Sequence, residues 1–150
     1  MIHKNPLREQ LQELLMSQRL AVLSTHHEGQ PYTSLVAFAA TANLSPIVFA
    51  TPRTTRKFHN LKKDHRVALL VDNRSNTEKD FNEAIAATAI GVAQEVHEKE
   101  SPELYELYLT KHPCLEGFVR SQSCAMLQVL VHKYLVVNHF QNVFQLKVVP

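Results

Sequence analysis

Apolar positions recur along this chain in two rhythms, and the switches between them lay out its elements. Asn5-Pro6 pairs a cap residue with proline at the first helical position, and Leu7, Leu11, Leu14 and Leu15 follow at helical spacing. Residues 6–18 therefore read as one amphipathic helix. Arg19 to Thr25 is a short apolar run suited to a buried strand, His26 to Gln30 supplies a turn, and Pro31 to Ala40 returns as a second strand. After a turn at Asn43-Leu44-Ser45-Pro46, a third strand covers Ile47 to Ala50 or Thr51. A helix from about Thr55 to Lys63 comes next, with Phe58 and Leu61 facing inward, and His65 to Asp72 is again a strand.

In the second half, Asn73 to Asp80 offers no apolar partner for a core and reads as a loop. Ala84 to Val96 is rich in alanine and β-branched residues, which leaves helix and strand in competition. Strand is the better reading, because Thr88, Ile90, Val92 and Val96 share one alternating face and Gly91 suits a bend or a close backbone approach. Ser101 caps and Pro102 opens a helix to Lys111 with Leu104, Leu107 and Tyr108 on its apolar face. His112-Pro113 ends it, and a short helical piece around Leu115–Val119 follows. Ala125 to Val137 and Val143 to Val149 close the chain as strands about a polar turn near Gln141-Asn142. Strands joined mostly by hairpin-length turns predict a mainly β protein, an antiparallel barrel or sheet with helices packed outside.

Composition narrows the class. With 150 residues, 45% of them hydrophobic and 20% charged, the chain reads as a single globular domain over 1–150 with a real core. A net charge of +2 without a basic stripe argues against a nucleic-acid partner. No apolar run is long enough to span a bilayer, and Met-Ile-His-Lys-Asn-Pro at the start lacks a signal-peptide pattern, so the expected compartment is the cytosol and no membrane partner is expected. Cys114 and Cys124 form no CxxC pair and read as small apolar fillers; the nine histidines form no HxxxH or HExxH face, so no metal site is predicted. With three glycines, neither GxGxxG nor GxxxxGK[ST] occurs.

Candidate chemistry centres on residues 47–57, Ile-Val-Phe-Ala-Thr-Pro-Arg-Thr-Thr-Arg-Lys. An apolar strand runs into a hydroxyl-rich turn, and Arg56 and Lys57 then occupy the first turn of a helix. Helix N-termini already carry partial positive charge and unpaired N–H groups, so two cations are misplaced there. A bound phosphate removes the conflict by accepting from backbone, threonines and cations together. From these residues alone, an ordinary helix start capped by Thr54 or Thr55, with a solvated Arg-Lys pair, is an equal reading.

Four segments in this order resemble the pyridoxamine 5′-phosphate oxidase-like, FMN-binding split-barrel proteins. They are Leu20-Ala-Val-Leu-Ser-Thr25, Gly29 to Phe38, Ile47 through Val71 with its Thr-Thr-Arg-Lys-Phe-His-Asn-Leu core, and Val131 to Phe140. The resemblance implies a split β-barrel of antiparallel, Greek-key-like form with outer helices. It also implies a homodimer with FMN at the subunit interface. Residue by residue, Arg56 and Lys57 would neutralise the FMN phosphate while Thr51 and Thr55 donate to it. Ser34, Leu35 and Val36 would run beside the phosphate, ribityl chain and ring, and backbone around Val36 and Ala50 would face the ring. Read without the resemblance, Ser34 is a serine on a half-exposed strand, and Val36 and Ala50 are core positions.

Departures from the family pattern bear on activity. Authentic oxidases carry basic residues where Ser34 and Ala39 stand, and a C-terminal Trp/Arg segment, whereas this chain has no tryptophan. The resemblance therefore points to the related branch rather than to vitamin B6 oxidation. It implies an FMN-dependent oxidoreductase in which the flavin supplies the chemistry, with no catalytic side chain assigned and the substrate and electron donor open. The alternative is a non-catalytic haem-, tetrapyrrole- or flavin-binding protein, for which His132 and His139 are the notable residues. A third reading is an interaction module with a vestigial site.

Overall fold

Asn5 opens the first helix as its position requires. Its side chain accepts from the N–H groups of Leu7 and Arg8 at the head of α1 (Pro6–Ser17) in the computed structural model, which describes residues 5–139 and 141–148. The predicted strand end at Val149, the N-terminal Met1–Lys4 and Phe140 lie outside those residues. The chain continues through β1 (Leu20–His27), β2 (Gln30–Ala40), β3 (Ile47–Pro52), α2 (Arg56–Lys63) and β4 (Arg66–Asp72). It then forms α3 (Asp80–Glu83), β5 (Ala86–Val96), α4 (Pro102–Lys111), a 3₁₀ turn at Pro113–Leu115, α5 (Glu116–Val119), β6 (Cys124–Asn138) and β7 (Asn142–Lys147).

All strand pairings are antiparallel, in the order β3-β2-β1-β4-β5-β6-β7, and β3 also pairs with β6. That extra pairing closes β1 to β6 into a six-stranded barrel and leaves β7 as an appended edge. The fold is thus the mainly β split barrel with flanking helices that the sequence predicts. β1 extends two residues further than expected: His26 and His27 pair with Pro31 and Gln30, and Glu28-Gly29 alone make the turn, with φ of 51° and 82°. A two-residue turn with both φ positive matches strand twist, and glycine tolerates it without strain.

Two cores result. Phe38, Phe49, Leu23, Leu69, Leu127, Val136 and Tyr134 fill the barrel, and α1 adds Leu11, Leu14 and Leu15. On the outer wall of β2 and β3, Ala39, Val48 and Ala50 pack under α4 and α5 against Leu104, Tyr105, Tyr108 and Val119. Several expectations need correction. Thr88, Ile90 and Val92 do share a face of β5, but only half-buried; Ala87, Ala89, Gly91 and Ala93 are the buried set, because bulky side chains already occupy the interior. Gly91 sits at a bulge where a Cβ would meet the Leu130 carbonyl oxygen at 2.2 Å, the close approach expected of it. Ser101 precedes α4 but makes no side-chain cap bond, since its backbone is turned away from capping geometry. Cys124 is buried as expected; Cys114 is exposed on the 3₁₀ turn instead.

Candidate cofactor site

β2 and β3 pair only through Phe38↔Phe49, Ala39↔Val48 and Ala40↔Ile47, and then separate. Continuing that register sets Val36 across from Thr51 and Leu35 across from Pro52, so the opened seam is where the predicted residues gather. Strand alternation distributes them over two faces. Val36 and Thr51 point inward, on the side of Phe38 and Phe49, and Ser34 shares that parity. Leu35, 64% exposed, and Ala50 lie on the outer face, where Ala50 is covered by the second core. A ligand in the seam meets Ala50 through its backbone only.

At the end of β3 a threonine pair prepares the helix. The Thr51 and Thr55 hydroxyls lie 2.9 Å apart, Thr55 donates to the Pro52 carbonyl at 3.0 Å, and Thr55 accepts from the Phe58 N–H at 3.3 Å. Thr55 is therefore the N-cap of α2, with Phe58 and Leu61 buried beneath it as predicted. Thr51 is 0% exposed and supports Thr55 from below. Asn60 is also buried and donates to the Thr25 hydroxyl at 3.1 Å, which ties α2 to β1.

No acid stands in the first turn of α2, and the N–H groups of Arg56 and Lys57 find no backbone acceptor among the described residues. Lys57 is half-buried, makes no ion pair or hydrogen bond among the described residues, and has its pKa lowered by that burial. Arg56 is exposed and leans over the Tyr32 ring, its guanidinium carbon 5.5 Å from the centroid. Arg53, by contrast, is held by Glu95. Across the seam, the Ser34 hydroxyl oxygen is buried without a hydrogen-bond partner. Unpaired donors, a desolvated cation and an orphaned hydroxyl fit a phosphate-bearing group.

Tyr32 and His27, which the sequence does not single out, border Arg56 together with His59, a histidine that reads from the sequence as a structural or solvated group rather than a general base. Only helical spacing from Arg56 to His59, and the hairpin register opposing His27 to Gln30, could have signalled them. No metal-ligating group of three or more His, Cys, Asp or Glu occurs among the described residues, and no helix there is long and apolar enough to cross a membrane.

A six-stranded antiparallel barrel whose β2–β3 seam opens beside the start of α2 defines a split barrel. The chain belongs to the pyridoxamine 5′-phosphate oxidase family, whose model matches residues 7–134. No curated protein matches the sequence. Among solved structures, a haem-binding protein from Mycobacterium smegmatis is similar, with a TM-score of 0.84 at 16% identity over 97% of this chain; the chain spans 60% of that protein. A protein from Clostridium acetobutylicum related to general stress protein 26, of the pyridoxinephosphate oxidase family, gives 0.73 at 16% identity, covering 94% of both chains. An FAD-binding protein from Mesorhizobium loti gives 0.69 at 12% identity over 89% of this chain and 94% of that one. At these identities the likeness is one of fold.

Proposed function

We propose that the chain is an FMN-binding oxidoreductase whose flavin phosphate is held at the head of α2. Lys57 carries this reading: a half-buried ammonium with no partner among the described residues, placed where the helix presents free N–H groups. Arg56 adds a second charge, Thr55 orients the helix start, and Thr51 fixes Thr55. Ser34 offers its unpartnered hydroxyl to the ribityl-phosphate end, and the backbone of Leu35, Val36 and Ala50 lines the path of the ring. Bound flavin would supply the electron-accepting chemistry, so the protein's own part is to bind, orient and shield. Family membership and the FAD-binding fold relative support a flavin here.

Assembly as a homodimer belongs to the same proposal. On the outer face, Leu35 stands opposite Val22 and Val22 opposite Leu70, beside Leu20, which is 51% exposed. No helix among the described residues covers this stripe, and a second copy would bury it. The deciding experiment is the absorbance spectrum of the purified protein with mass analysis of what denaturation releases. Flavin bands and an FMN mass are expected; a colourless protein that takes up no added FMN overturns the reading.

A second reading is tetrapyrrole binding, favoured by a groove of about 720 Å³ that His132 shares with Arg8, Lys147 and the apolar Pro46, Val92 and Leu130. The haem-binding fold relative supports it. His139 contributes nothing there, since its Nδ1 contacts the Asn82 carbonyl at 3.0 Å elsewhere. Haemin titration tests it: a saturable spectral change lost in His132→Ala supports it, and no such change removes it.

A further inference from the structure

Arg56, His59 and Asn60 fall at i, i+3 and i+4 of α2 and share one helix face. That face meets the β1–β2 hairpin, where the register sets His27 opposite Gln30. Between them lies a cleft of about 500 Å³ lined by His27, Gln30, Tyr32, Arg56, His59 and Asn60, together with Pro31. That is ample for a small ligand, whose sites usually span about 300–1,000 Å³.

The walls share one chemistry. His27 and His59 have ring centres 5.9 Å apart at a tilt of 49°, and Tyr32 lies under the Arg56 guanidinium. Among the described residues no carboxylate lines the cleft; Glu28 lies 3.9 Å from the His27 Nε2 and is 86% exposed. The buried Asn60–Thr25 bond fixes one wall to the other. Flat aromatic faces, one permanent cation, an amide and no negative charge suit a planar heterocycle that carries a phosphate. FMN has a single phosphate, which Lys57, Arg56 and the free N–H groups of α2 can hold, so it leaves Tyr32, His27 and His59 unused.

We propose that this cleft takes the adenylate half of a dinucleotide. Arg56 reaches its phosphate, and the adenine lies against Tyr32, His27 and His59. The inference rests on the flavin reading only in sharing Arg56 as the junction between the two phosphates. The adenylate comes either from FAD itself or from a nicotinamide dinucleotide that serves as electron donor.

The test is calorimetric titration of the full chain with 5′-AMP, and fluorescence titration with FMN and FAD, in wild type and His59→Ala. His59 is exposed on a helix where alanine is well tolerated, and circular dichroism confirms folding. Saturable AMP binding is expected, weakened at least tenfold in His59→Ala, with FMN affinity unchanged. If FAD is the source, FAD binds at least tenfold tighter than FMN in wild type only. If a nicotinamide dinucleotide is the source, AMP still binds the FMN-loaded protein and competes with NADPH. Wild type that fails to bind AMP, or His59→Ala that binds it equally well, overturns the inference even where FMN binds. AMP binding without any flavin uptake upholds the cleft and overturns the flavin reading instead.

Discussion

The hydroxyls of Thr51 and Thr55 stand 2.9 Å apart, one fully buried in β3 and the other capping α2. A residue inside the barrel thereby fixes the rotamer of the cap, and the cap fixes where the helix N-terminus aims. Thr55→Ala deletes the cap and leaves Thr51 only its longer bond to the Pro52 carbonyl, at 3.3 Å. It should lower stability by about 1–2 kcal/mol, the usual cost of losing such a cap, and Thr55→Ser should recover most of it. Urea denaturation reads this directly; an unchanged midpoint in Thr55→Ala would show that the tertiary packing of Phe58 and Leu61 positions α2 unaided.

Gly91 faces the Leu130 backbone so closely that a Cβ would lie 2.2 Å from the carbonyl oxygen and 2.9 Å from its carbon. Both are main-chain atoms of the paired strand, so no side chain can swing aside. Gly91→Ala must shift the bulge between β5 and β6 itself, and a loss of about 1–3 kcal/mol is expected, as for other overpacked sites. Thermal unfolding measures it, and Gly117→Ala is the control, since a Cβ there meets nothing within 4 Å.

Much of the architecture is legible because it follows local rules. Asn5-Pro6, Thr55 before α2 and Gly91 in β5 each declare a backbone requirement that neighbouring residues alone specify. The buried face of β5 is not of that kind. Alanines point inward there because Phe38, Phe49 and Tyr134 arrive from other strands, and no window along residues 84–96 contains them. His112, which reads as a helix stop, is buried with its Nε2 2.7 Å from the Phe38 carbonyl, a contact made by docking α4 on the barrel. In the site, the misplaced Arg56 and Lys57 are visible in the sequence. The meeting of Tyr32, His27 and His59 is not, because hairpin register and helix docking bring them together. Strand parity also separates Leu35 and Ala50 from Ser34, Val36 and Thr51, a division that the alternation predicts once the seam is known.

Lys111 supplies a pH-dependent test of packing. Its ammonium donates to the Leu15 carbonyl at 2.9 Å and lies 4.0 Å from the centre of the Phe38 ring. Burial, and secondarily the charge of Arg19, push its pKa down to about 8 from the ordinary 10.5. The unfolded chain therefore binds more protons between these values, and stability rises with pH across that window. The contribution is fully present above the unfolded pKa and is lost as pH falls through about 8. Lys111→Met should abolish this slope, so the difference in denaturation midpoint between wild type and variant should change from pH 8 to pH 10.5 and stay flat below it. A constant difference throughout would place the ammonium in solvent.

Lys57 separates binding from stability most sharply. In the free protein its charge is disfavoured by burial and answered by no partner among the described residues. Lys57→Met keeps the length and apolar stem of the side chain while removing that charge, so the free protein should be as stable as wild type or more so. The bound dianion reverses the balance, because it favours the charged ammonium. Loss of one charge-assisted hydrogen bond is worth about 1.5–3 kcal/mol, so FMN affinity should fall by at least about tenfold. The pH dependence has a definite sign: burial holds the free-state pKa below 10.5, and phosphate raises it on binding. Wild-type affinity should accordingly weaken as pH rises through the free-state value, and the variant's should not. Fluorescence titration of FMN beside urea denaturation of the ligand-free chain measures both quantities. Unchanged FMN affinity in Lys57→Met, together with lost stability, would make Lys57 a packing residue and move the phosphate away from α2.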